Sequence, residues 1–537
     1  MGKVQDTISR IARRHRPNAT PAIALIVPSQ QKPTKQSFPT SYTAVAKWLA
    51  SQSTAGQQTQ IVGLTRALQH SNRLQNNAAE RLKITTLFAS QVNAVKPWLN
   101  QHFIGADLPY SSRAANAFEN TTTLLQELSY GYKITLVDVL LRRSNLHRLE
   151  RINAIYFAMR SLAECGLCFS QSYLPWPDKY WRDINTLYWL AEKEKAVDET
   201  IGAATARDNL FPATIRTLYA TIAMFHLSNN DHLPAHLMEP LITRLSQHST
   251  QLPVASELPA TIDASVYSVA INSPNPPAAH RYCNYSAEDE VRYLQLQSIY
   301  DSLLTTLVEQ SNGKPTLSRA QLQKILFIWS NKTKRNSARA TTNNPVAIQT
   351  GLKDIYALYQ QQSSPEQIAN TPKWTLINQS NNGLCLRGNT RDHHQLQIGE
   401  LITTTVKAKL DTDTLHTGVI RWIKCLQQDN LQVGIELIGS NVQPVLGERI
   451  KRHGRSYESR LEALTCEIGT EGYTTTLLLL PPQQFRLGDT LKLYPSANSD
   501  ISSDYKLVET INLDGRFDCF RINAIVSDNT RQTAAPV

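Results

Sequence analysis

Arg335-Asn336-Ser337-Ala338-Arg339, followed downstream by Asn378-Gln379-Ser380-Asn381-Asn382-Gly383, is the stretch on which the reading of this chain turns. The first segment carries two guanidinium groups on one short run. The second is a polar turn at the mouth of a strand, Leu384-Cys385-Leu386. Strand-like runs follow at Leu401 to Val406, Gly418 to Lys424 and Leu431 to Leu437, alternating or β-branched, with Gly, Asn or Asp between them. Several short strands at close spacing predict a small barrel.

The residue types suit a phosphorylated purine. Arg offers a fixed fork of donors for phosphate oxygens or the O6/N7 edge of guanine, and its plane stacks on a base. Asn and Ser side chains, with backbone N–H groups near a Gly, supply a facing polar surface. Each half alone has a blander reading. Arg335 and Arg339 would be a solvated basic linker, and the Asn-x-Ser-x-x-Gly segment would be a turn. Their order, with strands behind them, is what points to a site.

At these residues the chain resembles the PilZ family, whose members bind the bacterial second messenger cyclic di-GMP. The resemblance includes Gly418-Val419-Ile420-Arg421-Trp422 and Val433-Gly434-Ile435-Glu436-Leu437 in the later strands. It implies that Arg335 and Arg339 clamp the guanines and phosphates, and that Asn378, Ser380 and Gly383 form the opposing wall. Asn378 stands where Asp is commoner in the family. The interval between the motifs is longer than usual, holding an expected strand at Val346-Ala347-Ile348 and a short helix from Leu352 to Gln362.

A chain of 537 residues is too long for one core, so three or four domains are expected. The net charge of +11 favours anionic partners. Seven Cys scattered along the chain argue against a disulfide framework and for a reducing cytoplasm. No apolar run reaches the length of a membrane span, and no signal-peptide core follows the basic start.

Residues 1–40 read as a basic flexible tail, with Ala22 to Val27 either pairing as a strand or packing as a plug. Residues 41–332 are expected to be α-helical. Val45, Trp48 and Leu49 begin an apolar stripe. Leu149, Ile152, Ile155, Tyr156, Met159 and Leu162 share one face, as do Trp181, Ile184, Leu187, Tyr188 and Ala191. Ile184, Leu187 and Tyr188 recur at the same spacing as Ile215, Leu218 and Tyr219. That recurrence fits either tetratricopeptide-like repeats in a solenoid or an irregular bundle. Cys165 and Cys168 have CxxC spacing in a helical context without a second pair, and read as packing thiols. Val266 to Ile271 reads as a strand. Ser286 with Asp289 is expected to open a long helix carrying Leu296, Ile299, Leu303 and Leu307, and Ser318 with Gln321 to cap another carrying Leu322, Ile325 and Ile328.

Residues 333–445 are expected to form the PilZ-like barrel. A basic connector, Gly447 to Arg455, leads to a second small β domain over 446–526, with strands near Ala463–Ile468, Tyr473–Leu480, Leu491–Tyr494, Tyr505–Ile511 and Phe517–Ile522. A polar tail, 527–537, closes the chain. The fold class is thus α+β and multidomain: an all-α N-terminal part, a PilZ-like β-barrel and a second small barrel-like domain.

No Walker loop, GxSxG or HExxH motif is present, and His393-His394 and His416 lack grouped carboxylates. The expectation is a non-enzymatic cytoplasmic receptor, without cofactor or metal, that binds cyclic di-GMP at the barrel and an unidentified protein partner through its helical part. The alternative is a nucleotide-independent adaptor with a degenerate PilZ barrel. A nucleic-acid binder is disfavoured, because few aromatic residues lie near the basic runs.

Overall fold

Helical periodicity up to residue 248 and strand alternation after residue 339 divide the chain, and the computed structural model follows that division. It describes residues 25–35, 37–52, 56–202, 210–305, 317–330, 339–360, 374–389, 396–407, 413–427, 430–450, 460–470, 473–495, 501–511 and 516–525. Two units result: residues 1–106 with 110–334, and residues 335–537 with the short segment 107–109. Arg335, Lys332 to Lys334, His393-His394, residues 1–24 of the expected tail, 451–459 of the connector and the tail 527–537 lie outside the described residues.

Among the described residues the first unit opens with eight α-helices: α1 (Tyr42–Gln52), α2 (Gln57–Asn72), α3 (Ala78–Phe103), α4 (Ser112–Leu140), α5 (Arg148–Gln171), α6 (Asp178–Lys193), α7 (Ile215–Leu227) and α8 (Ala235–His248). Polar caps set several starts. Asn77 accepts from Ala79 N at 2.9 Å and Ser111 from Ala114 N at 3.3 Å. The 26 residues of α3 make a rod about 39 Å long. The connection from Ile104 to Ser111 cannot run back along it, so α4 returns antiparallel. The same holds for α5, where Phe118 meets Phe169 at 5.4 Å near one end and Tyr132 meets Phe157 at 5.6 Å near the other. Leu149, expected on the apolar face, is 60% exposed, and the buried stripe starts at Ile152.

The recurrent residues of α6 and α7 face each other. All six are fully buried, and the Tyr188 and Tyr219 rings lie 4.4 Å apart. Helix lengths from 11 residues in α1 to 29 in α4 are those of an irregular bundle rather than of a fixed-length helix-pair repeat.

Two buried ion clusters tie this bundle together. Lys133 Nζ lies 2.5 Å from Asp183 Oδ2 with both side chains out of solvent, and Ile26 N donates to Asp183 Oδ1 at 3.0 Å. Removing one partner of such a pair costs about 3–5 kcal/mol, because a charge is left buried alone. Lys96 and Arg160 both hold Glu164. Burial opposes ionisation of that carboxyl, yet the two cations outweigh it and keep it below its ordinary range. The Ile26 contact corrects the expectation of a flexible tail to residue 40. Leu25 is buried and Gln31 bridges to Leu74, so the segment is anchored at those two points while residues 31–35 stay exposed.

The span 41–332 is not wholly helical, a second correction. It contains a four-stranded sheet of β1 (Val254–Ala255), β2 (Val266–Ala270), β3 (Ala278–Ala279) and β4 (Val291–Gln295), in the order β1-β4-β2-β3. The helix expected from Ser286 does not form there. Ser286 N does donate to Asp289 Oδ2 at 2.7 Å, but the turn feeds β4, whose backbone pairs with β2. The helix α9 starts only at Tyr300 (Tyr300–Thr305). Ser318 and Gln321 do make a capping box, and it opens α10 (Arg319–Trp329), which buries Leu322, Ile325, Leu326 and Trp329.

In the second unit, β5 (Ala340–Val346), β6 (Ile348–Thr350), helix α11 (Leu352–Gln360), β7 (Trp374–Ser380), β8 (Gly383–Asn389), β9 (Leu401–Lys407), β10 (Asp413–Gln427) and β11 (Asn430–Leu437) build a sheet ordered β5-β7-β8-β11-β10-β9-β6. Its two edge strands, β5 and β6, are consecutive in the chain and separated only by Ala347. The sheet therefore curls until its edges meet, with Thr405 N donating to Ala347 O at 3.2 Å. Then come β12 (Ser440–Arg449), β13 (Leu461–Thr470), β14 (Tyr473–Leu480), β15 (Thr490–Tyr494), β16 (Ser503–Thr510) and β17 (Asp518–Ala524), a closed barrel ordered β12-β13-β14-β17-β16-β15.

The second barrel starts at Ser440 rather than at 446, because β12 pairs with both β13 and β15. Gly447 to Arg449, expected in a solvated connector, belong to that strand, and Arg449 pairs with Asp489 at 2.7 Å. The helix α11 buries Ile355 and Tyr356 in one apolar cluster with Leu401 and Val419 of the first barrel and Leu464, Cys466, Leu477 and Leu479 of the second.

Candidate functional site

Strand pairing positions the candidate residues. The antiparallel register sets Ala340 opposite Gln379 and Thr341 opposite Asn378, so one step on Arg339 faces Ser380. The turn Asn381-Asn382 then joins β7 to β8, and Ser380 Oγ donates to Gly383 O at 3.2 Å across it. A cavity of about 220 Å³ opens here, lined on this side by Arg339, Ser380, Asn382 and Gly383. Arg339 is exposed, and its charge reaches β8. Burial pushes the Cys385 thiol up, while Arg339 and Arg387 oppose that shift.

The far side of the cavity comes from β10 and β11, with Arg421, Trp422, Gly434 and Glu436. Successive residues of a regular strand face opposite ways. Here Ile420 pairs with Ile435 but Trp422 with Gly434, which makes Arg421 the extra residue of a bulge. The bulge lets neighbours Arg421 and Trp422 line the same cavity. Arg421 Nε donates to Glu436 Oε2 at 2.5 Å. Gly434 is required under the indole, since a Cβ there would sit 1.8 Å from Trp422 Nε1. Gly383 is similarly close to β11, where a Cβ would meet Ile435 O at 2.9 Å.

Of the residues expected from sequence, Arg339, Ser380 and Gly383 share this cavity. Asn378 lies two positions before Ser380 on the same side of β7, half-buried, and is not among the lining residues; Asn382 takes that place. Arg335 lies outside the described residues. Arg421, Trp422 and Glu436 were visible as strand residues, but the bulge that turns Arg421 and Trp422 to one side leaves no mark in the residue pattern.

Other motifs resolve into packing. Cys165 and Cys168 are buried on α5, and burial pushes the Cys165 thiol up to about 12 beside the Tyr180 hydroxyl at 2.9 Å. Among the described residues no group of His, Cys, Asp and Glu is placed to hold a metal ion, and no helix is long and apolar enough to cross a membrane.

Residues 43–258 match the family described as the N-terminal domain of cyclic-di-GMP receptor FimW, and residues 356–444 match the one described as its middle PilZ domain. The chain is 20% identical to the cyclic-di-GMP receptor FimW of Pseudomonas aeruginosa, over 80% of this chain and 82% of that protein. The PilZ match begins inside α11 and runs through the cavity strands into β12, so Arg339 and its strand stand just ahead of it. With its barrel matched to a PilZ domain and its helices to the region that precedes one, the chain contains a PilZ domain behind a helical N-terminal region.

Proposed function

We propose that this chain is a cytoplasmic receptor for cyclic di-GMP, that the nucleotide occupies the cavity lined by Arg339 and by β7, β8, β10 and β11, and that its helical unit engages a protein partner. The observation that carries the reading is the meeting of Arg339 with Ser380, Gly383 and Arg421 around one cavity on a barrel that matches the PilZ description. Guanidinium groups supply charge-assisted donors to phosphate, and the turn supplies Ser and amide groups opposite them. Arg335 is assigned to the clamp with Arg339 from the motif alone. The protein acts by binding, with no cofactor and no chemical step.

Titration of the full chain with labelled cyclic di-GMP tests this. Saturable binding is expected, with a loss of about 1.5–3 kcal/mol, tenfold or more, for each of Arg335→Ala and Arg339→Ala. An absence of saturable binding, or equal affinity in the double variant, would reject the receptor reading. Partner recovery from lysate with and without nucleotide tests the coupling: identical recovery would leave an adaptor.

A further inference from the structure

A cation and a carboxylate stand side by side on the rim of the cavity. Arg421 and Glu436 are joined at 2.5 Å, with side-chain exposures of 20% and 55%. An ion pair so open to water contributes little to stability. A carboxylate is also the wrong charge for a phosphate site, so its presence beside Ser380 and Gly383 asks for a partner with donors. The pair offers a row of groups: N–H donors from the guanidinium, then lone pairs from the carboxylate.

Guanine presents the complementary row. Its O6 acceptor lies next to the N1–H and exocyclic amine donors. Adenine presents the reverse, an amine donor next to the N1 lone pair, which would set donor against guanidinium and lone pair against carboxylate. Both protein groups are held by opposite strands of one ladder, Arg421 at the bulge of β10 and Glu436 on β11. They are therefore placed by the sheet rather than by a loop.

We propose that Arg421 and Glu436 together read the base of the bound nucleotide, Arg421 donating to O6 and Glu436 accepting from N1–H and the exocyclic amine. This rests on the receptor reading above and adds the residues that select guanine. A merely competing role, in which Glu436 sequesters Arg421 and repels phosphate, predicts the opposite sign when the carboxylate is removed.

The test is equilibrium binding of the full chain to cyclic di-GMP, cyclic di-AMP and cyclic di-IMP, which keeps O6 and N1–H but lacks the exocyclic amine. The wild type is expected to favour cyclic di-GMP over cyclic di-AMP by roughly a hundredfold or more, with cyclic di-IMP between them. Glu436→Ala should lose about tenfold or more for cyclic di-GMP, bring it level with cyclic di-IMP, and leave cyclic di-AMP unweakened. The side chain is exposed, so an unchanged melting curve is expected and checks the fold. Unaltered or tighter cyclic di-GMP binding by Glu436→Ala overturns this inference, as does an equal loss for all three ligands. In either case the receptor reading stands; a wild type that binds none of the three removes both.

Discussion

The two barrels of the second unit are built from consecutive stretches of chain by the same antiparallel pairing, yet they use their surfaces in opposite ways. The PilZ barrel breaks its ladder at Arg421, lays an indole over Gly434 and gathers charged groups at an open cavity. The following barrel spends its residues on packing. Leu478 and Leu480 point into its interior with Leu491, Leu507 and Phe520. Leu477 and Leu479 point outward into the cluster shared with α11. A run of four leucines along one strand is the mark of a strand covered on both faces. Both barrels carry bulges, but only at Arg421 does one turn charged and aromatic side chains toward a cavity, while the leucine run marks the barrel packed on both faces.

The contrast would break first at the leucine run. Leu478→Ala and Leu479→Ala should each destabilise the second unit by about 2–5 kcal/mol in urea unfolding. Were the second barrel one-sided, Leu479→Ala would shift the midpoint hardly at all. A glycine from each barrel gives a finer comparison. Gly434→Ala should cost about 1–3 kcal/mol and weaken nucleotide binding, because the new methyl displaces Trp422. Gly447→Ala, whose Cβ would sit at 3.6–3.8 Å from leucine methyls, should be neutral or stabilise by up to about 1 kcal/mol. Equal costs at the two sites would erase the distinction. A small loss is expected where α11 meets β10. Tyr359 Oη lies 2.9 Å from Thr417 Oγ1, which also meets Thr403 Oγ1 at 2.7 Å. Tyr359→Phe should cost about 0.5–1.5 kcal/mol, and a larger loss would make that hydroxyl chain central to the barrel.

The parts of the fold that were legible in the sequence are those where one local signal dominates. Periodicity exposed the helices, Ser318 and Gln321 the start of α10, and alternation the strands from Leu401 to Leu437. Where two signals compete, tertiary pairing decided. Ser286 and Asp289 look like a helix cap, but partners on β2 drew Val291–Gln295 into a sheet. The strand β12 was hidden by Pro444, Gly447 and its basic end, and exists because β13 and β15 flank it. At the site, Arg339, Ser380 and Gly383 belong to contiguous motifs and could be read. Arg421 and Trp422 depend on a register shift between two strands, a property of the pair that neither strand encodes alone, and Glu436 joins them only through that pairing.

The position of α11 limits how this protein can be cut. A fragment trimmed to the matched PilZ span, 356–444, would keep Tyr356, Val419, Ile438 and Val442 while discarding Leu446, Leu464, Cys466, Leu477 and Leu479 that cover them. It would also sever β12 partway and drop Arg339. Such a piece would carry a greasy scar on one side and self-associate in solution. Workable excision runs from ahead of Arg339 to beyond Ala524, which makes the pair of barrels, rather than the cavity-bearing one alone, the smallest portable unit.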